Sequence, residues 1–206
     1  MSALGRVVGT LLAVQAMGAS QVEISVQVYN PAAAPKTEVQ KALGEAGWIL
    51  SQAGIEAQWV ECGDSVRDGA DLPGCQPRTE PGLFVVSILS EDPRRGRRED
   101  ALGFAVLAGR KNGAAVVYSH IRSILRDNPQ YADCNLLGHV IAHELGHLLL
   151  RSPQHGDGIM KADWKGRDFE AMKQRRLRFS LAEARRLVSM PCSQTASAKL
   201  SPTGSD

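Results

Sequence analysis

The 206-residue chain has little net charge, few aromatic side chains and no long apolar run, and these shortages limit the kinds of protein it can be. Its formal net charge is only +2, so it carries no strong electrostatic field for nucleic acid or an anionic membrane. Aromatic residues make up 5% of the chain, and composition therefore indicates no particular macromolecular partner. No apolar run approaches the roughly 20 residues of a transmembrane helix. The length suits one domain with a sizeable core.

Cysteine is also scarce, with four residues at positions 62, 75, 134 and 192. None of them forms a CxxC pair, so a cysteine-based structural zinc site is not expected. In an exported protein, a Cys62–Cys75 bond would close a loop rich in proline and glycine. A Cys134–Cys192 bond would tie the start of one predicted helix to the end of the last. The alternative is four reduced, buried thiols in a cytosolic protein.

The N-terminus resembles a short secretory signal peptide over residues 1–20. Arg6 precedes an apolar run at 7–14, and small residues follow at 16–20, where we expect cleavage. The mature protein would then be secreted or periplasmic. The competing interpretation is a helical or disordered extension without a targeting role. Residues 193–206 are rich in serine and threonine and are predicted to form a disordered tail.

Hydrophobic periodicity divides residues 21–192 into strands and helices. Apolar and alternating runs predict strands at 22–29, 55–60, 83–89, 102–107 and 114–118. Helical spacing predicts helices at 36–52, 120–126, 135–150 and 180–190. Asp133 is the expected N-cap of the third helix, and a capping box opens the last. The arginines at 94, 95, 97 and 98 are assigned to a solvated loop. This order of elements predicts an α+β fold with a sheet backed by helices.

The most informative segment is His143-Glu144-Leu145-Gly146-His147, within the third predicted helix. The two histidines are four residues apart, so both project from one face of that helix. Two imidazoles on one face can reach a single Zn²⁺ at about 2.0–2.1 Å. Glu144 lies one step around the helix, where it can take a proton from water at the metal. The surrounding residues make the helix apolar enough for the core, where polar side chains need a partner such as a metal.

A catalytic zinc takes three protein ligands and keeps one position open, so a third ligand must come from elsewhere in the chain. His155 is favoured because Gly156 and Gly158 let its loop bend back. His139 continues the stripe of the motif histidines, but eight helical residues span about 12 Å, which is too far for one tetrahedral ion. We therefore interpret His139 as a packed residue. Weaker candidates are three carboxylates and one histidine: Asp157, Asp168, Glu170 and His120.

The HELGH motif, a later histidine and then a methionine together resemble the metzincin zinc endopeptidases, a branch of the zincins. The resemblance covers most of the chain. It implies a zincin-like mixed β-sheet packed on an active-site helix, a methionine-containing turn and a C-terminal helix. By position, His143, His147 and His155 would be the zinc ligands. Glu144 would be the general base, and Met160 would form an apolar floor beneath the metal.

The sequence departs from the family pattern HExxHxxGxxH at two positions. Leu150 stands where the pattern has glycine, and His155 lies two residues beyond the third histidine of the pattern. Met160 follows His155 by only five residues, a tighter interval than in typical members. The active-site helix is therefore expected to run further before the chain turns back.

The resemblance implies a secreted zinc metalloendopeptidase with its catalytic domain at 21–192 and one Zn²⁺. Glu144 would take the proton from water activated at the metal. A peptide or protein substrate would pair with an edge strand, for which 102–107 is the expected segment. Tyr118 either donates a hydrogen bond to the reacting carbonyl group or is simply packed. Two other functions remain open: a zincin-fold binding protein without turnover, and a zinc hydrolase of non-peptide amides.

Overall fold

A five-stranded sheet forms the base of the fold. The computed structural model describes residues 21–65, 72–76, 82–94, 101–107 and 113–189. The strands are β1 (Val22–Tyr29), β2 (Ile55–Glu61), β3 (Leu83–Leu89), β4 (Gly103–Val106) and β5 (Gly113–Val117). Their order across the sheet is β2-β1-β3-β5-β4, and β4 alone runs antiparallel to its neighbour. β4 is thus a short antiparallel strand at the edge of a parallel sheet.

Helices cover the sheet. Those in the described residues are α1 (Lys36–Ser51), α2 (Tyr118–Asp127), α3 (Leu136–Leu150), α4 (Gly166–Lys173) and α5 (Leu181–Val188). Short 3₁₀ helices at Pro129–Cys134 and Gly158–Met160 precede and follow α3. Within this described part of the chain, we find no helix with both the length and the apolarity that a bilayer crossing requires.

The core lies where α1 and α3 pack side by side on the sheet. α1 contacts β2, α3 contacts β4 and β5, and the two helices contact each other. They approach closely at Gly138, where an added Cβ would lie 2.7 Å from the carbonyl oxygen of Ala42. Every residue from Leu136 to Leu149 is buried. The motif helix is therefore enclosed on all sides, as its apolar composition predicts.

The predicted α+β architecture is confirmed, and all five predicted strands are present with ends shifted by a residue or so. The N-cap prediction is wrong. Asp133 lies in the 3₁₀ helix that begins at Pro129, and α3 begins after Asn135, which has a left-handed backbone with φ of 48°. Asparagine tolerates that conformation better than most residues, which lets the chain change direction there.

Helix α4 was not predicted from the sequence. It has only eight residues, begins with glycine and carries few apolar positions, so its periodicity is weak. It starts where the Asp168 side chain accepts a hydrogen bond from the backbone N–H of Lys165 at 2.9 Å. A capping interaction therefore defines this helix more than its hydrophobic pattern does.

The segment between β2 and β3 is held by a disulfide bond and by two buried polar side chains. Cys62 and Cys75 are bonded, in agreement with one of the predicted pairings. Gln27 donates a hydrogen bond to the carbonyl of Gly74 at 2.6 Å, and the Tyr29 hydroxyl donates to that of Cys75 at 3.0 Å. The buried face of β1 thus fixes the disulfide-linked segment against the sheet.

The second cysteine pairing is not formed. Cys134 is a free thiol, 1% exposed, in the hydrophobic core next to α3. Burial raises its pKa to about 11, so the thiol stays protonated and unreactive. Its predicted partner, Cys192, lies outside the described residues, as do the predicted signal peptide at 1–20 and the predicted tail at 193–206.

Breaking the Cys62–Cys75 bond should destabilise the fold. The two cysteines are 13 residues apart, and closing a loop of about this length contributes roughly 3 kcal/mol. We expect reduction, or Cys62→Ser combined with Cys75→Ser, to lower the free energy of unfolding by about that amount in urea titrations. Cys134→Ala is the control and should respond to the reductant as the wild type does. An unchanged free energy of unfolding after reduction would show that Gln27 and Tyr29 hold the segment without the bond.

Candidate metal centre and cleft

Three histidine side chains converge beside α3. His143 and His147 project from that helix, and His155 approaches from the loop that follows it. One ring nitrogen from each lies within 4.8 Å of the others. The ring centroid of His155 lies 5.4 Å from that of His143 and 4.9 Å from that of His147. The structure thus brings together the three residues that the resemblance implied as ligands.

The backbone sets the protonation of two of these rings. His143 Nδ1 lies 2.7 Å from the carbonyl oxygen of Ile159, and His147 Nδ1 lies 2.8 Å from that of Ser152. A carbonyl oxygen only accepts hydrogen bonds, so each Nδ1 carries the proton and donates it. Each Nε2 then presents a lone pair, and the two Nε2 atoms are 3.1 Å apart. Two facing lone pairs repel each other, and a cation between them removes that repulsion.

The donor set suits zinc. In a tetrahedral site with Zn–N bonds of about 2.0–2.1 Å, neighbouring nitrogens are roughly 3.3 Å apart. The Nε2 atoms of His143 and His147, 3.1 Å apart, are close to that separation. Burial lowers the pKa of His143 to about 4 and also lowers the pKa of His147. Both rings are therefore neutral at physiological pH, and the neutral ring is the form that binds a metal.

The loop that carries His155 turns back directly after α3. The helix ends at Leu150, and Arg151 adopts a left-handed backbone with φ of 49°. In the pattern HExxHxxGxxH, aligned on His143, the glycine falls at position 150 and the third histidine three residues later. Here the residue with the left-handed backbone is Arg151, and His155 follows it by four residues. One of the two extra residues therefore lies before the turn and the other lies in the loop after it. His155 still reaches the other two histidines.

The other candidates for the third ligand lie apart from the three-histidine group, and three of them contact other groups. His139 is fully buried, and its Nδ1 lies 3.1 Å from the carbonyl oxygen of Asn135. Asp168 accepts from Lys161 Nζ at 2.6 Å and caps α4. His120 Nδ1 lies 2.7 Å from the carbonyl oxygen of residue 101. Five residues considered from the sequence stand outside the three-histidine group: His120, His139, Asp157, Asp168 and Glu170.

Glu144 lies against the edge strand. Its side chain is 5% exposed and lines the same cleft as the histidines. Burial raises its pKa to about 8, while the positive charge of Arg94 acts in the opposite direction. A Cβ added to Gly103 would lie 2.7 Å from Glu144 Oε1 and 2.8 Å from the carbonyl oxygen of Ala115. Glu144 can therefore occupy this place only because β4 has no side chain at position 103.

Met160 packs against the motif helix at Gly146. It is 1% exposed and ends the 3₁₀ helix that follows the His155 loop. A Cβ added to Gly146 would lie 2.6 Å from Met160 Sδ and 2.8 Å from Phe179 Cε1. The sulfur and the aromatic ring thus fill the space that the missing side chain of Gly146 leaves beside α3. Met160 is therefore packed against the motif helix one residue before His147, and its role as an apolar floor beneath a metal stays a prediction.

The architecture resembles that of solved zinc peptidases, although no protein-family model and no curated protein matches the sequence. The zinc-dependent peptidase from Methanocorpusculum labreanum superposes with a TM-score of 0.55 at 14% identity. The match covers 79% of this chain and 99% of that one. The fold is zincin-like.

Two further structures show weaker likeness. Archaemetzincin from Methanopyrus kandleri gives a TM-score of 0.45 at 14% identity, over 84% of this chain and 97% of its own. Metalloproteinase-II from Bacteroides fragilis gives 0.43 at 10% identity, over 77% of this chain and 54% of its own. Likenesses this weak carry no argument, and the function has to be argued from the site.

In this zincin-like fold the three histidines and Glu144 open into a cleft of about 540 Å³. β4 contributes Gly103, Phe104 and Ala105 to its lining, and the segment 161–165 contributes further residues. Trp164 from that segment meets the His143 ring edge to face, with 5.5 Å between ring centroids. The cleft is therefore bounded by an edge strand, the motif helix and the chain that follows Met160.

The structure assigns surroundings to three side chains on which the sequence was silent or undecided: Arg94, Trp164 and Tyr118. Arg94 lies in the predicted loop, but its side chain is only 28% exposed: it lines the cleft, and its guanidinium carbon lies 3.7 Å from the Phe104 ring centroid. Arginines 95, 97 and 98 lie outside the described residues. Trp164 was not singled out, because a lone tryptophan in a loop forms no motif. Of the two roles considered for Tyr118, the structure favours packing. Its hydroxyl donates a hydrogen bond to Glu38 at 2.7 Å, and the residue does not line the cleft.

Gly103→Ala should destabilise the protein although alanine is small. The new Cβ would overlap both the Glu144 carboxylate and the carbonyl of Ala115, and overpacking of this kind costs about 1–3 kcal/mol. Gly44→Ala is the matched control, because a Cβ there meets nothing within 4 Å in the exposed face of α1. It should stabilise the protein by up to about 1 kcal/mol. Urea denaturation of both variants measures the difference, and two shifts of the same sign would contradict this account of Glu144.

Proposed function

We propose that this protein is a zinc-dependent peptidase that cleaves peptide bonds within a chain. The proposal rests on the three histidine rings that surround one point beside the buried carboxyl group of Glu144. His143, His147 and His155 would hold one Zn²⁺ and leave a coordination position open to the cleft. When bound, zinc acts as a Lewis acid that polarises a carbonyl group and makes water more acidic.

Glu144 would accept the proton of the attacking water and later deliver it to the leaving amine. The carboxyl group is buried in the cleft next to the histidines, so bulk water does not compete for its hydrogen bonds. Burial raises the pKa of this carboxyl group to about 8, and the positive charge of Arg94, together with that of a zinc ion held by the histidines, would favour the ionised form that accepts a proton. Gly103 keeps space for the carboxylate at the edge strand.

The peptide would lie along β4 in an extended conformation. Within the described residues β4 pairs only with β5, so its outer edge can hydrogen-bond another strand. Addition of a peptide to a sheet edge gives affinity through main-chain hydrogen bonds. Because Gly103 of β4 lies against Glu144, a peptide bound to this edge would pass the proton acceptor.

The proposal extends to an exported protein, secreted or periplasmic. The Cys62–Cys75 bond supports this location, since disulfide bonds persist in oxidising compartments and are rare in the cytosol. The apolar run after Arg6 would supply the targeting signal.

Two other functions fit the same metal site less well. A zinc-binding protein without turnover has no use for a buried carboxyl group beside the metal, and such burial is costly. A hydrolase of small non-peptide amides would use the same catalytic residues. The cleft of about 540 Å³, bounded by an edge strand, favours an extended peptide over a compact amide.

Glu144→Gln should abolish most of the activity while zinc stays bound. The amide keeps the size of the side chain but cannot accept a proton, and general acid–base catalysis contributes about 10²–10⁴-fold to a rate. Zinc-loaded wild type is expected to cleave an unfolded protein such as reduced casein. The variant should show kcat/KM lower by at least about 100-fold at equal zinc content.

Glu45→Gln is the matched control for this experiment. Glu45 is also a buried glutamate, but it lies on α1 and pairs with Arg175 outside the cleft. Its variant should cleave casein at the wild-type rate. Equal rates for the Glu144 variant and the wild type would contradict the assigned role of Glu144. Zinc binding with no cleavage of casein or of peptides would instead favour one of the two alternative functions.

A further inference from the structure

Three positively charged side chains line the cleft, and the carboxylates that pair with two of them lie outside the lining. Arg94, Lys161 and Lys165 all line it. Asp92 pairs with Arg94 at 2.6 Å, and Asp168 pairs with Lys161 at 2.6 Å, but neither carboxylate is part of the lining. Besides Glu144, the lining holds one acidic side chain, the exposed Asp163. Within the described residues, the lining therefore presents three cationic side chains to a substrate, against the two acidic side chains of Glu144 and Asp163.

Arg94 is held in place on two sides. Its Nε and Nη2 donate to the two oxygens of Asp92 at 2.9 and 2.6 Å. Its guanidinium plane stacks on Phe104, with 3.7 Å between the guanidinium carbon and the ring centroid. The Arg94 side chain is 28% exposed, and that of Asp92 is 11% exposed. Anchoring reduces the conformational entropy that a long side chain loses on binding, so Arg94 is prepared to bind a ligand.

The ion pair between Arg94 and Asp92 does not use all the N–H donors of the guanidinium group. A guanidinium has five N–H donors, and Asp92 accepts from Nε and Nη2 on one edge. The edge formed by Nη1 and Nη2 matches the two oxygens of a carboxylate. Phe104 is a residue of β4 and follows Gly103, which lies against Glu144. Arg94 therefore stands near the place where the peptide bond would be cleaved.

We propose that Arg94 determines specificity by binding a carboxylate of the peptide substrate close to the cleaved bond. This inference rests on the proposed peptidase function. The carboxylate belongs to an aspartate or glutamate side chain. Binding of the C-terminal carboxylate of the peptide would instead place the cleaved bond near the chain end, in contrast to cleavage within a chain. Lys161 and Lys165 add favourable charge from a second segment of the lining. The competing explanation is that the Asp92–Arg94 pair only covers Phe104 and supports β4.

The first test measures binding without turnover. Zinc-loaded Glu144→Gln protein is titrated by calorimetry with N-acetylated, C-amidated alanine hexapeptides that carry one glutamate or one glutamine at each position in turn. A third peptide, all alanine, has a free C-terminal carboxylate. Charge-assisted hydrogen bonds to a guanidinium are about twice as strong as neutral ones. We expect a carboxylate at one position to lower the Kd at least about ten-fold, which corresponds to 1.4 kcal/mol.

Arg94→Gln in the same background should remove this preference, so that the matched acidic and neutral peptides bind alike. Arg94→Lys keeps the charge without the planar fork and should restore only part of it. Arg126→Gln is the control: Arg126 is 75% exposed on α2 and does not line the cleft. It should keep the full preference.

The same titrations identify the source of the carboxylate. Tighter binding of the free-acid peptide than of its amide identifies the C-terminus. An effect of glutamate that depends on its position in the peptide identifies a side chain.

The second test compares kcat/KM values in the zinc-loaded wild-type background. The ratio for the preferred acidic peptide over its glutamine counterpart should fall toward one in Arg94→Gln. Equal affinity for acidic and neutral peptides in the unsubstituted protein would overturn the proposal. So would a preference that survives Arg94→Gln, or a variant that weakens all peptides equally, as a purely supporting role predicts. Absence of cleavage would count against the peptidase function, while the calorimetric comparison would still decide the role of Arg94.

Discussion

The structure depends on one constraint: polar side chains on a helix that is buried on every side must find partners. α3 has no solvent-facing side over Leu136–Leu149, yet it carries His143, Glu144 and His147. The carbonyls of Ser152 and Ile159 satisfy one nitrogen of each histidine and leave the other without a proton. The remaining nitrogens face each other, so the burial that stabilises the helix also creates a site for a cation.

Several features outside the helix follow from this requirement. Arg151 reverses the chain in a left-handed conformation, which presents the Ser152 carbonyl to His147 and leads to His155. Gly146 leaves space for Met160, which follows the carbonyl that His143 bonds. A left-handed backbone is costly for a residue other than glycine, about 1–2 kcal/mol, so the surrounding contacts must maintain it.

The sequence alone predicted the elements with strong periodicity and the residues with motif spacing. The strands, α3, His143, Glu144 and His147 belong to that class, because helix geometry alone relates residues four apart. His155 lies outside the helix, and it was favoured because the glycines after it let its loop bend back and because the motif resembles that of the metzincins. The sequence did not predict that Arg94 would line the cleft or that Gly103 would lie directly against Glu144. The sheet order β3-β5-β4 brings them to α3, and this order depends on tertiary packing. Helix α4 and the Asn135 turn were missed because local capping and backbone conformation leave little hydrophobic pattern.

X-ray absorption spectroscopy of the zinc-loaded protein tests the central claim most directly, since it counts the histidine ligands of the metal. The account predicts one zinc with three imidazole nitrogens at about 2.0–2.1 Å. His155→Ala should show two, and His139→Ala should remain at three. Two imidazoles in the wild type, an unchanged number in His155→Ala, or sulfur in the coordination sphere would contradict it.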